Sequence, residues 1–143
     1  MKFVYPYISE QEGESQIVHF PDVPGALTQV DPGEDLDGLV RDCLVAALGG
    51  YVMQKQSPPR PSEIKGSSVV VLDVLTSAKL ALAMAMSEAG MSNVALAERL
   101  DVNEKIVRRL LDLDHVSRID RLEAALELFG FQLEVSVMQP LAI

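Results

Sequence analysis

The sequence predicts an α+β protein of two units, a βββαβ unit over residues 1–74 and an all-α unit over residues 76–137 that ends in a strand. Three observations carry that division. Runs rich in aromatic and β-branched residues crowd the first thirty positions. Apolar residues at helical spacing then occupy 36–51. After residue 76, helix-capping residues recur at short intervals until a run of period two closes the chain.

Each element has a local reason. Lys2-Phe-Val-Tyr-Pro-Tyr-Ile8 reads as a strand, with Pro6 marking an edge position or a bulge. Ser9 to Glu14 is polar, contains Gly13 and reads as the turn of a hairpin into a second strand, Ser15 to Phe20. Pro21-Asp-Val-Pro-Gly25 interrupts, and Ala26 to Val30 supplies a third strand. Asp31-Pro-Gly-Glu34 looks like a helix start, with Asp31 as cap and Pro32 at the first helical position. Leu36, Leu39, Val40, Cys43, Leu44, Ala47, Leu48 and Tyr51 form an apolar stripe that must cover one face of the sheet. Ser57-Pro-Pro-Arg-Pro-Ser62 stops that helix. Val69-Val-Val-Leu72 is short and wholly apolar, as in a buried central strand. In the second unit, Thr76 or Ser77 caps a helix to Ala89, closed by Gly90. Ser92 caps the next, to Leu100, and Asn103 a third, to about Leu111. Ser117-x-x-Asp120 opens the fourth, whose buried stripe is Ile119, Leu122, Ala125, Leu126 and Phe129.

The last run is Phe131-Gln-Leu-Glu-Val-Ser-Val137. Phe131, Leu133, Val135 and Val137 share one face of the strand it predicts. A lone strand cannot satisfy its own backbone groups. It either pairs with the same strand of a second chain, making a homodimer or a higher even oligomer, or returns to the N-terminal sheet. The first is the simpler expectation.

The totals narrow the function. Hydrophobic residues make up 48%, too many for a disordered chain. The formal net charge of −9 argues against general coating of nucleic acid. Residues 1–60 hold nine acidic and four basic residues, which suits a basic partner. Cys43 is the only cysteine, so no internal disulfide forms and a reducing compartment fits. No stretch has the length of a signal peptide core or a membrane span, so a cytoplasmic, soluble protein is expected.

Against this acidic background one segment stands out, Met91 to Leu111. It reads as two short helices joined by a tight turn, the layout of a helix-turn-helix reader of operator DNA. On a wheel, Ile106, Val107, Leu110 and Leu111 cluster on one side. Glu104, Lys105, Arg108, Arg109 and Asp112 cluster on the other. A plain solvated face with Glu104–Arg108 and Arg108–Asp112 pairs would look the same in isolation. The preceding helix, the turn and the capping Asn103 favour DNA. Lys105 and Arg108 can reach base edges or phosphates, and Arg109 a phosphate. Ser92 and Asn103, at helix starts, can also hold phosphates, and Asn93 and Glu104 complete the candidate DNA-binding residues.

The pattern Ser92 to Leu100 followed by Val102 to Leu110 resembles the lambda-repressor-like helix-turn-helix family. It departs at Asp101, where that family usually has glycine and where a left-handed backbone is expected. Phe20-Pro-Asp-Val-Pro-Gly25, Thr28-Gln29, the acidic-capped helix and Pro-Ser before an apolar strand resemble the HicB antitoxin family. So does Val102-Asn-Glu-Lys-Ile-Val-Arg-Arg-Leu-Leu-Asp-Leu-Asp-His115. This resemblance implies an inactive, partial RNase-H-like first unit that masks a small basic HicA-type mRNA-cleaving toxin. It also implies a second unit that represses the operon.

Enzymatic chemistry is not expected. Two-metal hydrolysis needs converging carboxylates, and the strands read above carry no Asp or Glu. His19 and His115 lack nearby cysteines or a second histidine, so no metal site is expected. Met84, Met86 and Met91 read as core filler. There is no glycine-rich phosphate loop, and no cofactor is expected. The reading is an antitoxin that binds its toxin and represses its operon through a palindrome. The alternative is a free-standing helix-turn-helix regulator whose first unit senses a ligand or another protein.

Overall fold

A computed structural model describes residues 1–63 and 68–139. The first unit holds β1 (Val4–Glu12), β2 (Ser15–His19), β3 (Leu27–Val30), α1 (Leu36–Met53) and β4 (Ser68–Val71). The second holds α2 (Val74–Ala89), α3 (Asn93–Leu100), α4 (Glu104–Leu111) and α5 (Ile119–Glu127). The four strands form one antiparallel sheet in the order β3-β2-β1-β4.

The pairing of β1 is staggered. Val4 to Tyr7 pair with β4, and Ile8 to Glu12 pair with β2. Pro6 therefore lies where β1 has a neighbour on one side only, which a residue without an N–H tolerates. The strand runs on to Glu12, well past the expected turn, and the hairpin closes at Gly13, whose φ is 62°. β4 departs from expectation more sharply. It is an edge strand paired with β1 alone, and Val69 and Val71 face outward while Val70 is buried. An all-valine run cannot reveal that only one of its faces is covered.

The break between β2 and β3 is a compact double turn. The Phe20 N–H donates to the Ala26 carbonyl, that of Val23 to the Phe20 carbonyl, and that of Ala26 to the Val23 carbonyl. Phe20, Val23 and Ala26 are all buried by it. Asp22 points the other way and clamps the proline-rich segment. Its carboxylate accepts from the Ser62 N–H at 2.8 Å and the Ser62 hydroxyl at 2.9 Å. Tyr5 Oη donates to the Pro59 carbonyl at 2.7 Å, and Arg60 pairs with Glu88 on α2. Burial, aided by the Asp22 charge, pushes the Tyr5 phenol well above its ordinary pKa.

Three expected caps move. Asp31-Pro-Gly-Glu34 is a turn, not the helix start: the Glu34 N–H donates to the Asp31 carbonyl, and Gly33 has φ 85°. A left-handed residue cannot sit in a first helical turn. Asp31 instead accepts from Ser15 Oγ and Gln29 Nε2, both at 2.7 Å, and α1 begins after Asp35. α2 is capped by Asp73, which accepts from the Thr76 N–H, ahead of the expected Thr76 or Ser77. α5 begins after Arg118, and Ser117 is used elsewhere. Ile119 is more exposed than its place in the expected stripe implies. The ends set by Gly90, Ser92 and Asn103 fall where the sequence puts them.

Two cores result. The first joins Tyr5, Val18, Phe20 and Val70 of the sheet to Val40, Leu44 and Leu48 of α1. The second joins Leu96, Val107, Leu110, Leu122 and Leu126. α2 belongs to both: Leu80 and Met84 enter the first, and Ala78, Leu82 and Met86 the second. Among the described residues no single helix is long and apolar enough to cross a membrane.

Asp101 takes the left-handed conformation expected of it, with φ 53°. A side chain there costs up to about 1–2 kcal/mol, while glycine adds about 0.5–1 kcal/mol of unfolded-state freedom. Asp101→Gly should therefore hold or raise stability, by up to about 1 kcal/mol. Asp101→Val should lower it; urea unfolding of the two variants checks the ordering.

Candidate nucleic-acid interface

α3 and α4 are each eight residues long and are joined by Asp101, Val102 and Asn103. α3 meets α2 at a bend of 108°. Ser92 Oγ accepts from the Ala95 N–H at 3.1 Å, and Asn103 Oδ1 accepts from the Lys105 N–H at 2.8 Å. Both side chains are thus engaged as caps, so anything bound at these helix starts would meet backbone N–H groups first. Asn93 opens α3 and is half-buried.

α4 divides cleanly. Val107 and Leu110 are buried, Ile106 and Leu111 half-buried, and Glu104, Lys105, Arg108 and Arg109 exposed. Arg108 Nε lies 3.9 Å from Glu104 Oε1, a loose surface pair in which both side chains stay largely in solvent. Lys105 and Arg109 enter no ion pair among the described residues. The three cations are therefore exposed to solvent. Arg108 alone sits on the rim of a cleft of about 880 Å³ between α1, α2 and the start of α3.

What holds α4 in place was not legible as a site. Lys79 of α2 has no solvent exposure. Its Nζ donates to the Arg109 carbonyl at 2.7 Å and to Ser117 Oγ at 2.8 Å. Ser117 Oγ also donates to the Arg109 carbonyl at 3.2 Å and contacts His115 Nδ1 at 3.1 Å. A cation at the carboxyl end of a helix is favoured by the helix dipole. Burial holds the ammonium below the usual lysine range, and the Asp112 carboxylate opposes that shift. One clue was available: Lys79 is the only charged residue between Asp73 and Glu88.

The C-terminal segment forms no strand among the described residues. Leu133 packs on the second core, whereas Phe131, Val135 and Val137 are exposed. The segment does not return to the sheet, whose described strands are the four above. Among the described residues no group of three or more His, Cys, Asp or Glu is placed to hold a metal ion. Glu10 and Glu12 do lie on a strand, but in its exposed outer half.

Lys79→Met keeps most of the buried volume and removes the ammonium. It should cost about 1–3 kcal/mol in urea unfolding and speed amide exchange in the segment from Arg109 to Ser117. Lys79→Ala should cost more, because it also leaves a cavity.

No protein-family model matches the chain. It is 33% identical over 131 residues to Antitoxin HicB 2 of Photorhabdus laumondii subsp. laumondii, covering 92% of this chain and 94% of that protein. It is 37% identical over 106 residues to Antitoxin HicB of Pseudomonas fluorescens, covering 73% and 72%. It is 25% identical over 120 residues to Antitoxin HicB of Escherichia coli K12, covering 83% and 87%. With 92% of its length matched in the first of these, the likeness extends over both units. The chain belongs to the HicB antitoxin family.

Proposed function

We propose that this chain holds and silences a HicA-type mRNA-cleaving toxin through its first unit and represses its own operon through its second. The antitoxin role is supported by the names of its relatives and by the acidity of residues 1–60, which suits a basic toxin. The DNA role rests on one observation: Lys105, Arg108 and Arg109 project from a capped, anchored helix into solvent. In this reading the first unit is a partial RNase-H-like domain without catalysis. α3 and α4 are a helix-turn-helix, with α4 in the major groove and the starts of α3 and α4 against phosphates.

Repression of a palindrome needs two copies. Phe131, Leu133, Val135 and Val137 would pair with the same segment of a second chain, with Leu133 seating each segment on its own core. Two such readers would then reach half-sites about one helical turn apart, roughly 34 Å.

Co-expression with the neighbouring small gene, affinity purification and a gel-shift salt series on the upstream DNA tests the whole reading. Capture of a small basic protein and a shifted operator support it. A shifted operator with no such partner would leave a free-standing regulator. Arg109→Ala and Lys105→Ala should each weaken operator binding and lower the salt slope by about 1, the change expected for one lost phosphate contact. Val135→Glu with Val137→Glu should turn dimers into monomers by light scattering; unchanged mass would sink the strand-pairing model.

A further inference from the structure

α1 covers one face of the sheet, and the strand registers define the other. Reading across it, Val71 lies beside Val4, and Val69 beside Pro6. Ile8, His19 and Leu27 form the next row, then Glu10, Ile17 and Gln29. Glu12 and Ser15 close the face, with Asp31 bonded to Ser15 at its margin. Val4, Ile8, Ile17, Leu27, Val69 and Val71 belong to neither core. Four of them are strongly exposed: Ile8 43%, Leu27 63%, Val69 45% and Val71 54%. The face is therefore graded, apolar where β4 meets β1 and acidic toward the hairpin.

The carboxylates at the acidic end come from one stretch of chain. No lysine or arginine occurs between Lys2 and Arg41, a span that holds eight carboxylates. Glu10 and Glu12 stand on the face itself and Glu14 in the hairpin turn. Asp31 is fixed there by its bonds to Ser15 and Gln29, which hold its carboxyl below the usual range. A contiguous apolar patch with a one-sided acidic rim marks a protein-binding surface. The rim selects a partner with cationic side chains beside an apolar centre, and like charge disfavours a second acidic copy of this chain.

We propose that this sheet face, which none of the described helices covers, is the docking surface for a basic protein and, building on the antitoxin reading above, that the occupant is the toxin. Apolar contact on Val69, Val71, Ile8 and Leu27 holds the complex, and the carboxylates of Glu10, Glu12, Glu14 and Asp31 steer its approach.

The test uses the 143-residue chain and whichever small basic protein is captured with it from the neighbouring gene, with binding followed by surface plasmon resonance. Val69→Glu with Val71→Glu should weaken binding at least tenfold, mainly through faster dissociation. Glu10→Lys with Glu12→Lys should slow association at least fivefold at low salt and flatten its salt dependence. Val116→Glu, at an exposed loop position outside this face, should change neither. Circular dichroism checks folding; if the valine variant unfolds, the Glu10 and Glu12 variant decides. Undiminished binding by both folded variants overturns the assignment. So does loss of self-association with toxin affinity intact, which would give the face to a second copy. A wild-type chain that does not bind the small protein overturns the antitoxin reading and this one with it.

Discussion

A single ammonium group, that of Lys79, sits without solvent contact where α2, the end of α4 and the lead into α5 converge. Taking such a charge out of water costs several kcal/mol unless it is paired and hydrogen-bonded. Here the compensation is directional. The Arg109 carbonyl is one of the unsatisfied acceptors that every helix leaves at its carboxyl end. The Ser117 hydroxyl is drawn off from capping α5 to complete the shell. The residue whose carbonyl is held inside is the same residue whose guanidinium is offered outside. The basic face of α4 is thereby referenced to α2 through one short polar joint.

Around that joint the exposed charge is unevenly spread. Cations are displayed by α4, on the second core. Carboxylates gather on the hairpin, on the first. In a molecule of net charge −9 most of the surface repels phosphate, so in the proposed reading polyanion contact falls to the basic face of α4. In that reading the acidic hairpin is left to attract a basic protein. Under the two proposals one charge asymmetry would serve both attractions.

Much of this was legible because the elements of the second unit are locally self-consistent. Ser92, Asp101 and Asn103 each name a backbone state that depends on nearest neighbours, and each was found in it. The split of α4 into Val107 and Leu110 against Lys105, Arg108 and Arg109 follows from helical period alone. What was illegible was set by distant parts of the chain. Asp31 carries the chemistry of a cap but is claimed by Ser15, sixteen residues earlier. Val69 and Val71 have the composition of buried residues, and only the strand order reveals that one side lacks a cover. The role of Lys79 depends on partners thirty and more residues away, which no local pattern on its helix announces. The Phe20 to Gly25 motif is a recognisable word in the sequence, yet its observed work is architectural, turning the chain and pinning Ser62.

α2 has flanks in both cores, Leu80 and Met84 on one side and Leu82 and Met86 on the other. Neither half can then come apart without stripping apolar surface from a helix that the other half needs. Heat or denaturant should meet a single cooperative structure with one melting event, not two independent modules on a string. A lesion in α2 would accordingly be felt at both ends of the chain at once.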